Sequence, residues 1–256
     1  MKITFLGTGT SNGIPMLACD CSICTSANPK NKRLRASVLI TDDAGNNLLI
    51  DASADFRQQA LRHNIKNIDT ILITHVHADH VFGLDEMRRF NQIHKKNIPL
   101  YIKPEFDSEL RQIFSYIYCP PLQLGGGVSQ IVNHPATPGQ SFTVGSLKIT
   151  PIEVMHGVLP ILGFRINDFV YLTDCSEIPD SSYALLHGVK VAVIDALRQT
   201  PHPTHFSIDQ AIAAAKRIGV EKAYFTHIAH NLEHEQTNAE LPANLQLAYD
   251  GLEVQI

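Results

Sequence analysis

The chain has 256 residues, of which 44% are hydrophobic and 18% are charged, a composition typical of a globular protein with a substantial core. The formal net charge of −4 argues against a general nucleic-acid coat protein, because non-specific duplex binding depends on phosphate neutralisation. No apolar run approaches the ~18 residues that cross a bilayer, and the N-terminus has too short an apolar stretch for a signal peptide. We therefore expect a cytoplasmic protein with no membrane partner.

The predicted elements alternate between short β-branched runs and helical stretches, which indicates an α/β fold. Strands are predicted at residues 3–6, 37–40, 48–51, 70–74, 100–102, 147–154, 169–173, 191–195, 222–226 and 252–254. Helices are predicted at residues 54–63, 105–116, 181–186 and 207–218. The last is the clearest, because Ser207 is a good N-cap and Gly219 stops the helix.

A glycine run at residues 125–127, with prolines nearby, predicts two halves that join near residues 120–140. Residues able to bind metal come from both sides of this join. We therefore expect both halves to pack into a single domain over residues 1–256.

The segment from Thr74 to His80 carries metal-competent side chains at close spacing. Side chains two apart at a strand end share a face, so His75 and His77 can point at one ion. The following turn can bring Asp79 and His80 towards a second ion. Four candidate residues each follow an apolar run closely, at the positions where α/β sheets present their functional loops: Asp51, His75, Asp174 and His227.

The pattern His75-x-His77-x-Asp79-His80 is the signature of the metallo-β-lactamase superfamily, which the chain resembles over its full length. The resemblance implies a four-layer αββα sandwich, in which helices flank two mixed sheets. It also implies two divalent metal ions, Zn or Mn, in the active site. The implied ligands are His75, His77 and His156 for one ion, Asp79, His80 and His227 for the other, and Asp174 as the bridge.

Imidazole and carboxylate ligands suit Zn²⁺, Mn²⁺ or Fe²⁺, and two ions ~3.5–4 Å apart can share a water and ionise it near neutral pH. The implied reaction is hydrolysis by attack of a metal-bridging hydroxide, with Asp79 among the catalytic residues. Asp51 resembles the aspartate that orients the ligands in this family. Its alternative role is an ordinary cap of the helix that follows.

A second metal site is predicted at Cys19-x-Cys21-x-x-Cys24, where three thiols within six residues can hold one tetrahedral Zn²⁺ with a fourth ligand. We choose His230 as that ligand, since it lies three residues after His227. The pattern is similar to that of the cyclic phosphate phosphodiesterases of phosphonate catabolism, where such a loop and a histidine bind a structural zinc. Of the remaining cysteines, Cys175 is interpreted as a buried small residue and Cys119 is unassigned.

The segment His205-Phe206-Ser207 resembles the His-x-Ser/Thr segment of tRNA 3′-processing endonucleases and related phosphodiesterases. In those enzymes the histidine stabilises the phosphate or protonates the leaving oxygen. The N-terminus of the predicted helix also favours an anion. Asp195, at the end of the preceding strand, could orient His205. Both are therefore candidate catalytic residues, and phosphodiester hydrolysis ranks above β-lactam or thioester hydrolysis.

The expected substrate is a small or cyclic phosphodiester. The tRNA-processing enzymes carry a long basic arm, whereas residues 103–140 offer only Lys103 and Arg111 as fixed cations, which makes binding of structured nucleic acid unfavourable. Two alternatives stay open: a nuclease that processes RNA or oligonucleotides, and a non-hydrolytic accessory protein like the pyrroloquinoline-quinone biosynthesis protein, which also has the cysteine loop. A homodimer is a further option.

Several residues have no companions at ligand spacing or no assigned role. Six histidines are interpreted as structural or surface residues: His63, His94, His134, His187, His202 and His234. No role is assigned to Arg88, Arg89, Tyr116 and Tyr118.

Overall fold

The computed structural model describes residues 1–119 and 127–256 and contains two seven-stranded sheets. The first sheet has the order β14-β1-β2-β3-β4-β5-β6, with β1 (Lys2–Gly7), β2 (Ser37–Thr41), β3 (Asn47–Ile50), β4 (Thr70–Leu72), β5 (Ile98–Ile102), β6 (Ile131–Pro135) and β14 (Glu253–Gln255). The second has the order β13-β12-β11-β10-β9-β8-β7, with β7 (Phe142–Val144), β8 (Leu147–His156), β9 (Leu159–Ile166), β10 (Phe169–Leu172), β11 (Val191–Asp195), β12 (Lys222–Thr226) and β13 (Leu245–Leu247).

Both sheets are mixed. In the first, β3 to β6 run parallel, whereas β1 pairs antiparallel with both β2 and β14. In the second, β10 to β13 run parallel, whereas β7 to β10 form an antiparallel meander. The register Ile3↔Val254 joins the last strand to the first sheet. The parallel halves place several strand ends at the same edge, where loops can carry chemistry.

Side chains alternate between two apolar environments along the strands, as the period of two requires. Val38 and Ile40 of β2 pack in a core shared with Phe169 and Tyr171 of β10, which places this core between the sheets. Leu39, between the two β2 residues, belongs to the other core, which also contains helical side chains. The fold is therefore the expected αββα sandwich, with helices outside both sheets.

Eight α-helices are found in the described residues: α1 (Phe56–Arg62), α2 (Ala78–Val81), α3 (Met87–His94), α4 (Pro104–Ile113), α5 (Ser115–Tyr118), α6 (Asp180–Leu185), α7 (Ile208–Ile218) and α8 (His234–Glu240). Ser207 caps α7, and Gly219 ends it with φ +80°. The predicted helix at residues 105–116 is instead two helices, α4 and α5, because the chain leaves helical geometry at Phe114. None of the described helices combines the length and apolar character needed to cross a lipid bilayer.

The predicted join between the halves, near residues 120–140, stays a prediction. Residues 120–126, which include two of the three glycines, lie outside the described residues. Within the expected join, β6 is a full strand of the first sheet, paired along its length with β5. The chain therefore crosses from the first sheet to the second between Pro135, the end of β6, and Phe142, the start of β7. That the chain forms one domain stays a prediction.

Candidate metal centre and active site

The candidate centre lies at the carboxyl ends of strands from both sheets. Asp51 directly follows β3, Asp174 follows β10 by two residues, and His227 directly follows β12. These three residues have positive φ angles of 60°, 54° and 58°. The left-handed region costs a non-glycine residue roughly 1–2 kcal/mol, and such strain concentrates at functional sites. The chain thus bends sharply at three strand ends that supply candidate site residues.

Three imidazoles form the first half of the cluster. His75, His77 and His156 each offer a ring nitrogen, and these atoms lie within 4.8 Å of one another. His75 Nε2 is 2.9 Å from His77 Nδ1. Nitrogen atoms converging in this way match the surroundings of a single cation. The structure therefore brings together the three residues predicted to hold the first ion.

Two carboxylates and two imidazoles form the second half. Ligand atoms of Asp79, His80, Asp174 and His227 lie within 4.8 Å of one another, and His80, Asp174 and His227 are buried. His80 Nε2 is 3.3 Å from Asp79 Oδ2 and 3.3 Å from Asp174 Oδ1. His227 Nε2 is also 3.3 Å from Asp174 Oδ1. The residues predicted for the second ion thus converge as well.

Asp174 reaches both halves of the cluster. Its Oδ1 faces His80 and His227, while its Oδ2 is 3.9 Å from His75 Nε2. Thr173 Oγ1 donates a hydrogen bond to Asp174 Oδ1 at 2.8 Å. This position suits a bridging carboxylate, although the ligand roles of all seven residues stay predictions.

Asp51 orients His80, as the family resemblance implies. The Asp51 carboxylate accepts hydrogen bonds from the backbone N–H and the hydroxyl of Thr74, each at 2.9 Å. Its Oδ2 also lies 2.7 Å from His80 Nδ1. Because Nδ1 is engaged, His80 presents Nε2 to the cluster. Asp51 does not cap the following helix, whose N-cap is Asp55.

The electrostatics of the cluster favour a cation. Burial alone would raise the pKa of Asp174, but His227 and His80 outweigh it and hold that pKa well below its usual value. Burial would likewise lower the pKa of His80, yet Asp174 and Asp51 raise it well above its usual value. The carboxylates therefore attract positive charge, which a divalent cation would supply in place of the proton.

Two buried nitrogen atoms support the fit of metal ions to this site. His80 Nε2 and His227 Nε2 are buried and have no hydrogen-bond partner among the described residues. A buried polar atom without a partner costs free energy, and metal coordination would remove that cost. Burial and His80 also hold the pKa of His75 well below its usual value, which leaves a neutral imidazole able to bind a metal.

His205, a candidate catalytic residue, lies at the edge of the cluster. Its ring centroid is 4.8 Å from that of His156 and 4.7 Å from that of His227. His205 Nδ1 is 2.8 Å from Asp195 Oδ2, which also accepts the backbone N–H of Cys175 at 2.8 Å. A hydrogen bond from Nδ1–H to Asp195 leaves Nε2 for chemistry. The predicted pair thus has the geometry of an oriented catalytic histidine.

The N-terminus of α7 is less open to an anion than the sequence suggested. Gln210 N donates to Ser207 Oγ at 3.4 Å, and Ser207 N donates to Gln210 Oε1 at 2.9 Å, which forms a capping box. Ile208 N donates to Arg198 O at 3.0 Å. Most N–H groups that could hold a phosphate here are therefore occupied. The expectation of a helix-terminus phosphate site is wrong in this respect.

The four residues predicted for a structural zinc also meet. His230 Nδ1 lies 3.3, 3.4 and 3.7 Å from the sulfur atoms of Cys19, Cys21 and Cys24. A tetrahedral zinc with Zn–S near 2.3 Å and Zn–N near 2.0–2.1 Å separates sulfur and nitrogen by roughly 3.6 Å. A backbone hydrogen bond from Cys24 and the contact with His230 lower the pKa of Cys21 to about 6, against the opposing effect of burial. The donor set fits one zinc ion.

The unpaired cysteines and the unassigned polar residues lie outside these clusters. Cys175 is fully buried, as interpreted, and Cys119 is exposed. Arg88 pairs with Asp85 at 3.3 Å, and Tyr116 donates to the same carboxylate at 2.9 Å. These contacts of Arg88 and Tyr116 do not involve the metal-competent side chains, whereas the backbone N–H of Cys175 donates to Asp195.

Two residues that sequence reasoning missed help to build the site. Thr204 O lies 2.9 Å from His156 Nδ1 and fixes the orientation of that imidazole. His202, interpreted from the sequence as structural or surface, lies beside His205 with ring centroids 5.2 Å apart. The lining of a cavity of about 260 Å³ includes His202, His205, His227 and Asn12. No spacing rule marks these residues, because their proximity depends on how the loops fold.

Comparisons with known proteins identify relatives over the whole chain. The sequence model of the beta-lactamase superfamily domain matches residues 46–228. The crystal structure of a diphosphatase from the PhnP family is 41% identical, covers 100% of this chain and 97% of its own, and superposes with a TM-score of 0.91.

Two curated relatives have different names. An octanoyltransferase of Porphyromonas gingivalis is 36% identical over 255 residues, which are 99% of this chain, but the chain spans only 51% of that relative's length. Coenzyme PQQ synthesis protein B of Xanthomonas campestris pv. campestris is 25% identical, with both chains fully covered.

More distant solved structures share the fold alone. Zn²⁺-bound PqqB from Methylobacterium extorquens has a TM-score of 0.83 at 20% identity, with 100% of both chains covered. The short form of human tRNase Z has a TM-score of 0.72 at 19% identity, with 100% and 99% covered. The matched domain, the sandwich of two mixed sheets and the 41% identity over the full length lead to one conclusion: the chain belongs to the beta-lactamase superfamily, in its metallo-β-lactamase fold, and within it to the PhnP family.

Proposed function

We propose that this protein is a metal-dependent hydrolase that cleaves small or cyclic phosphodiesters. The observation that carries the proposal is the position of His205. It is held by Asp195 through a 2.8 Å hydrogen bond, and its ring centroid lies 4.8 Å from that of His156 and 4.7 Å from that of His227. A metal cluster alone suits many hydrolases, whereas an oriented histidine at its edge suits a reaction whose leaving oxygen needs a proton.

Different residues of the chain would have different roles in the reaction. Divalent cations held by the cluster would activate a water and neutralise charge on the phosphate oxygens. Asp51 and Thr204 fix the ring orientations of His80 and His156, so that the receiving nitrogens face the cluster. Preorganised ligands lose little freedom when substrate binds, which favours the reaction.

His205 would act as the general acid. Protonated on Nε2, it can donate that proton to the leaving oxygen as the phosphorus–oxygen bond breaks. The buried Asp195 carboxylate stabilises the positive imidazolium before the proton leaves and holds the ring afterwards. The backbone N–H of Cys175 fixes the carboxylate in turn.

The charge distribution supports a small substrate over structured RNA. Lys103 is buried and pairs with Glu153 at 3.0 Å, and Arg111 pairs with Asp107 at 2.8 Å. A second group of basic residues, close together in the sequence, is also engaged: Lys30 pairs with Glu235, Lys32 donates to Cys24 O, Arg33 is buried, and Arg35 pairs with Asp55. In the described residues, these candidate patches offer few cations to a nucleic-acid backbone.

Diphosphate hydrolysis is the second candidate, because the structure that is 41% identical is described as a diphosphatase. Both reactions place a negatively charged phosphorus centre at the metal cluster, so the same residues could serve either. They differ in the leaving group, which is an alcohol in one case and a phosphate in the other. A phosphate leaves with less need of a proton, so strong dependence on His205 favours the diester.

A third candidate is an accessory role without hydrolysis, as the similarity to coenzyme PQQ synthesis protein B allows. An accessory protein has no need of a general acid. The oriented His205 and Asp195 pair therefore favours an enzyme.

The test is a turnover screen on purified protein loaded separately with Zn²⁺ and Mn²⁺. Linear diesters, cyclic diesters, dinucleoside diphosphates and a precursor tRNA are compared by product analysis. We expect the highest kcat/KM for a small or cyclic diester. Preferential cleavage of diphosphates or of the tRNA trailer would replace the proposal with the corresponding alternative, and inactivity on all four classes would favour the accessory role.

A further inference from the structure

The cavity beside the metal cluster has a polar wall that no step of the proposed reaction uses. Its lining includes His205 and His227 together with Thr10, Asn12, His202 and Asn231. Its volume of about 260 Å³ is slightly below that of common small-molecule sites, ~300–1,000 Å³. A substituent of the substrate can therefore extend from the reacting phosphorus into this space.

Hydrogen bonds fix the tautomer of His202. The backbone N–H of Thr204 donates to His202 Nδ1 at 3.3 Å, and the Thr204 hydroxyl lies 3.1 Å from the same atom. Because Nδ1 accepts, the neutral imidazole carries its proton on Nε2. His202 Nε2 has no hydrogen-bond partner within the described ranges, so this donor is available to a ligand.

Thr204 therefore sets the orientation of two histidines. Its carbonyl faces His156 Nδ1 at 2.9 Å while its N–H and hydroxyl face His202. The donor on His202 and a candidate metal ligand are thus held by one residue. Because these hydrogen bonds fix its orientation, His202 is suited to a specific contact with substrate.

The charge of the cavity indicates what it binds. Among residues 1–119 and 127–256, those that line it include no lysine, arginine, aspartate or glutamate. The nearby Arg35 guanidinium is engaged by Ser11 O at 2.8 Å and by Asp55 at 2.9 Å. Arg198 donates to the backbone carbonyls of Thr200 and Pro201. An anionic substituent would find no free fixed cation here, whereas hydroxyl groups would find neutral donors and acceptors.

The position of His205, the proposed general acid, indicates which part of the substrate enters the cavity. His205 forms part of the same wall, 5.2 Å from His202 between ring centroids. A group that His205 protonates must leave on that side of the phosphorus. We propose that His202 is a specificity-determining residue whose Nε2–H donates a hydrogen bond to an uncharged, hydroxyl-bearing leaving group in this cavity. The proposal rests on the proposed phosphodiesterase function for its account of which group leaves.

Calorimetry with non-hydrolysable ligands tests the contact apart from turnover. The probes are 3,4-dihydroxybutylphosphonate and butylphosphonate, which differ only in two hydroxyl groups. We expect the metal-loaded protein to bind the dihydroxy compound roughly three- to tenfold more tightly, the effect of about one hydrogen bond. His202→Ala and His202→Phe should abolish this preference, and His202→Gln, which keeps a donor, should retain part of it. His187→Ala, an exposed control, should keep it in full.

The outcomes separate this inference from the proposed function. Equal affinity of the wild-type protein for both phosphonates, or an unchanged preference in two folded His202 variants, overturns the role of His202. A His202-dependent preference for methylenediphosphonate over the dihydroxy compound overturns the proposal that the leaving group is uncharged. If the preference behaves as expected while no diester is hydrolysed, the proposed function fails and the binding site stands. If a diester is hydrolysed but the dihydroxy compound is not preferred, the proposed function stands and the role of His202 is overturned.

Discussion

The Nδ1 atom of His205 lies 2.8 Å from Oδ2 of Asp195. This contact connects the loop just before α7 to the last residue of β11, beside the metal-competent cluster. A carboxylate at Nδ1 selects the ring orientation that leaves Nε2 for the substrate. The proposed roles of His205 and Asp195 can therefore be tested directly by substitution.

Replacement of His205 by alanine should lower kcat on an unactivated diester by roughly 10²–10⁴-fold, since general acid catalysis contributes about that factor. Asp195→Asn should lower it by about 10–100-fold, the usual effect of losing an orienting partner. Steady-state kinetics and metal analysis are measured together. Asp209→Asn, on the exposed first turn of α7, is the matched control. An unchanged rate in His205→Ala would remove the residue from the mechanism.

Metal content should separate the two clusters. We expect about three ions per chain in metal-replete protein, measured by plasma mass spectrometry. His75→Ala should lose about two and keep one, while Cys19→Ser should lose about one and keep two. These expectations follow from the separate convergence of the two ligand sets. His187→Ala should keep all three. Loss of every ion in either variant would contradict two independent sites.

Gly157 allows a close approach between the hairpin of β8 and β9 and the loop that carries Thr204. A Cβ atom at Gly157 would lie 2.9 Å from Thr204 Cγ2, and the residue has φ +62°. Gly157→Ala should push Thr204 O away from His156 Nδ1 and weaken metal affinity by about 10–100-fold.

The matched rescue is a double variant, Gly157→Ala with Thr204→Ser, which removes the clashing methyl group and keeps the carbonyl. Competition with a chelator measures affinity in the wild type and each variant. The double variant should regain part of the loss, since only the strain of positive φ remains. No difference between the single and double variants would show that the contact with Thr204 is unimportant.

Asp250 should make stability depend on pH. Burial raises its pKa to about 6, although hydrogen bonds from Leu34 N and Thr8 oppose the shift. Because the folded protein binds this proton more tightly than the unfolded chain, the contribution is favourable below the unfolded pKa near 4 and is lost as pH rises to about 6. The loss amounts to about 3 kcal/mol, from ~1.4 kcal/mol for each unit.

Chemical unfolding of wild-type protein and Asp250→Asn between pH 4 and pH 7 measures this effect. The wild-type free energy of unfolding, relative to the variant, should fall as pH rises. The comparison between the two proteins cancels titration at the metal ligands, which they share. A difference that stays constant or increases with pH would contradict the raised pKa.

Local patterns predicted much of the candidate site. His75, His77, Asp79 and His80 lie within six residues, so the turn after β4 is sufficient to bring them near one another. Most predicted strands were also found with small shifts at their ends. β9 was missed because Pro160 and Gly163 interrupt its apolar run, and both residues disfavour a strand. Its long antiparallel pairing with β8, from Ile149↔Ile166 to His156↔Leu159, overrides this preference.

The sequence by itself determined the closely spaced signature from His75 to His80 and the three thiols of the cysteine loop, because motif spacing is a local property of the chain. The family resemblance implied the remaining candidate ligands of the cluster, which are His156, Asp174 and His227. Only the tertiary structure decided that Thr204 holds His156 and His202 and that a neutral cavity adjoins His205. These relationships join loops that follow different strands, and their distances depend on how the sheet and its neighbouring turns pack. Such packing is a property of the whole fold, which no short stretch of sequence contains.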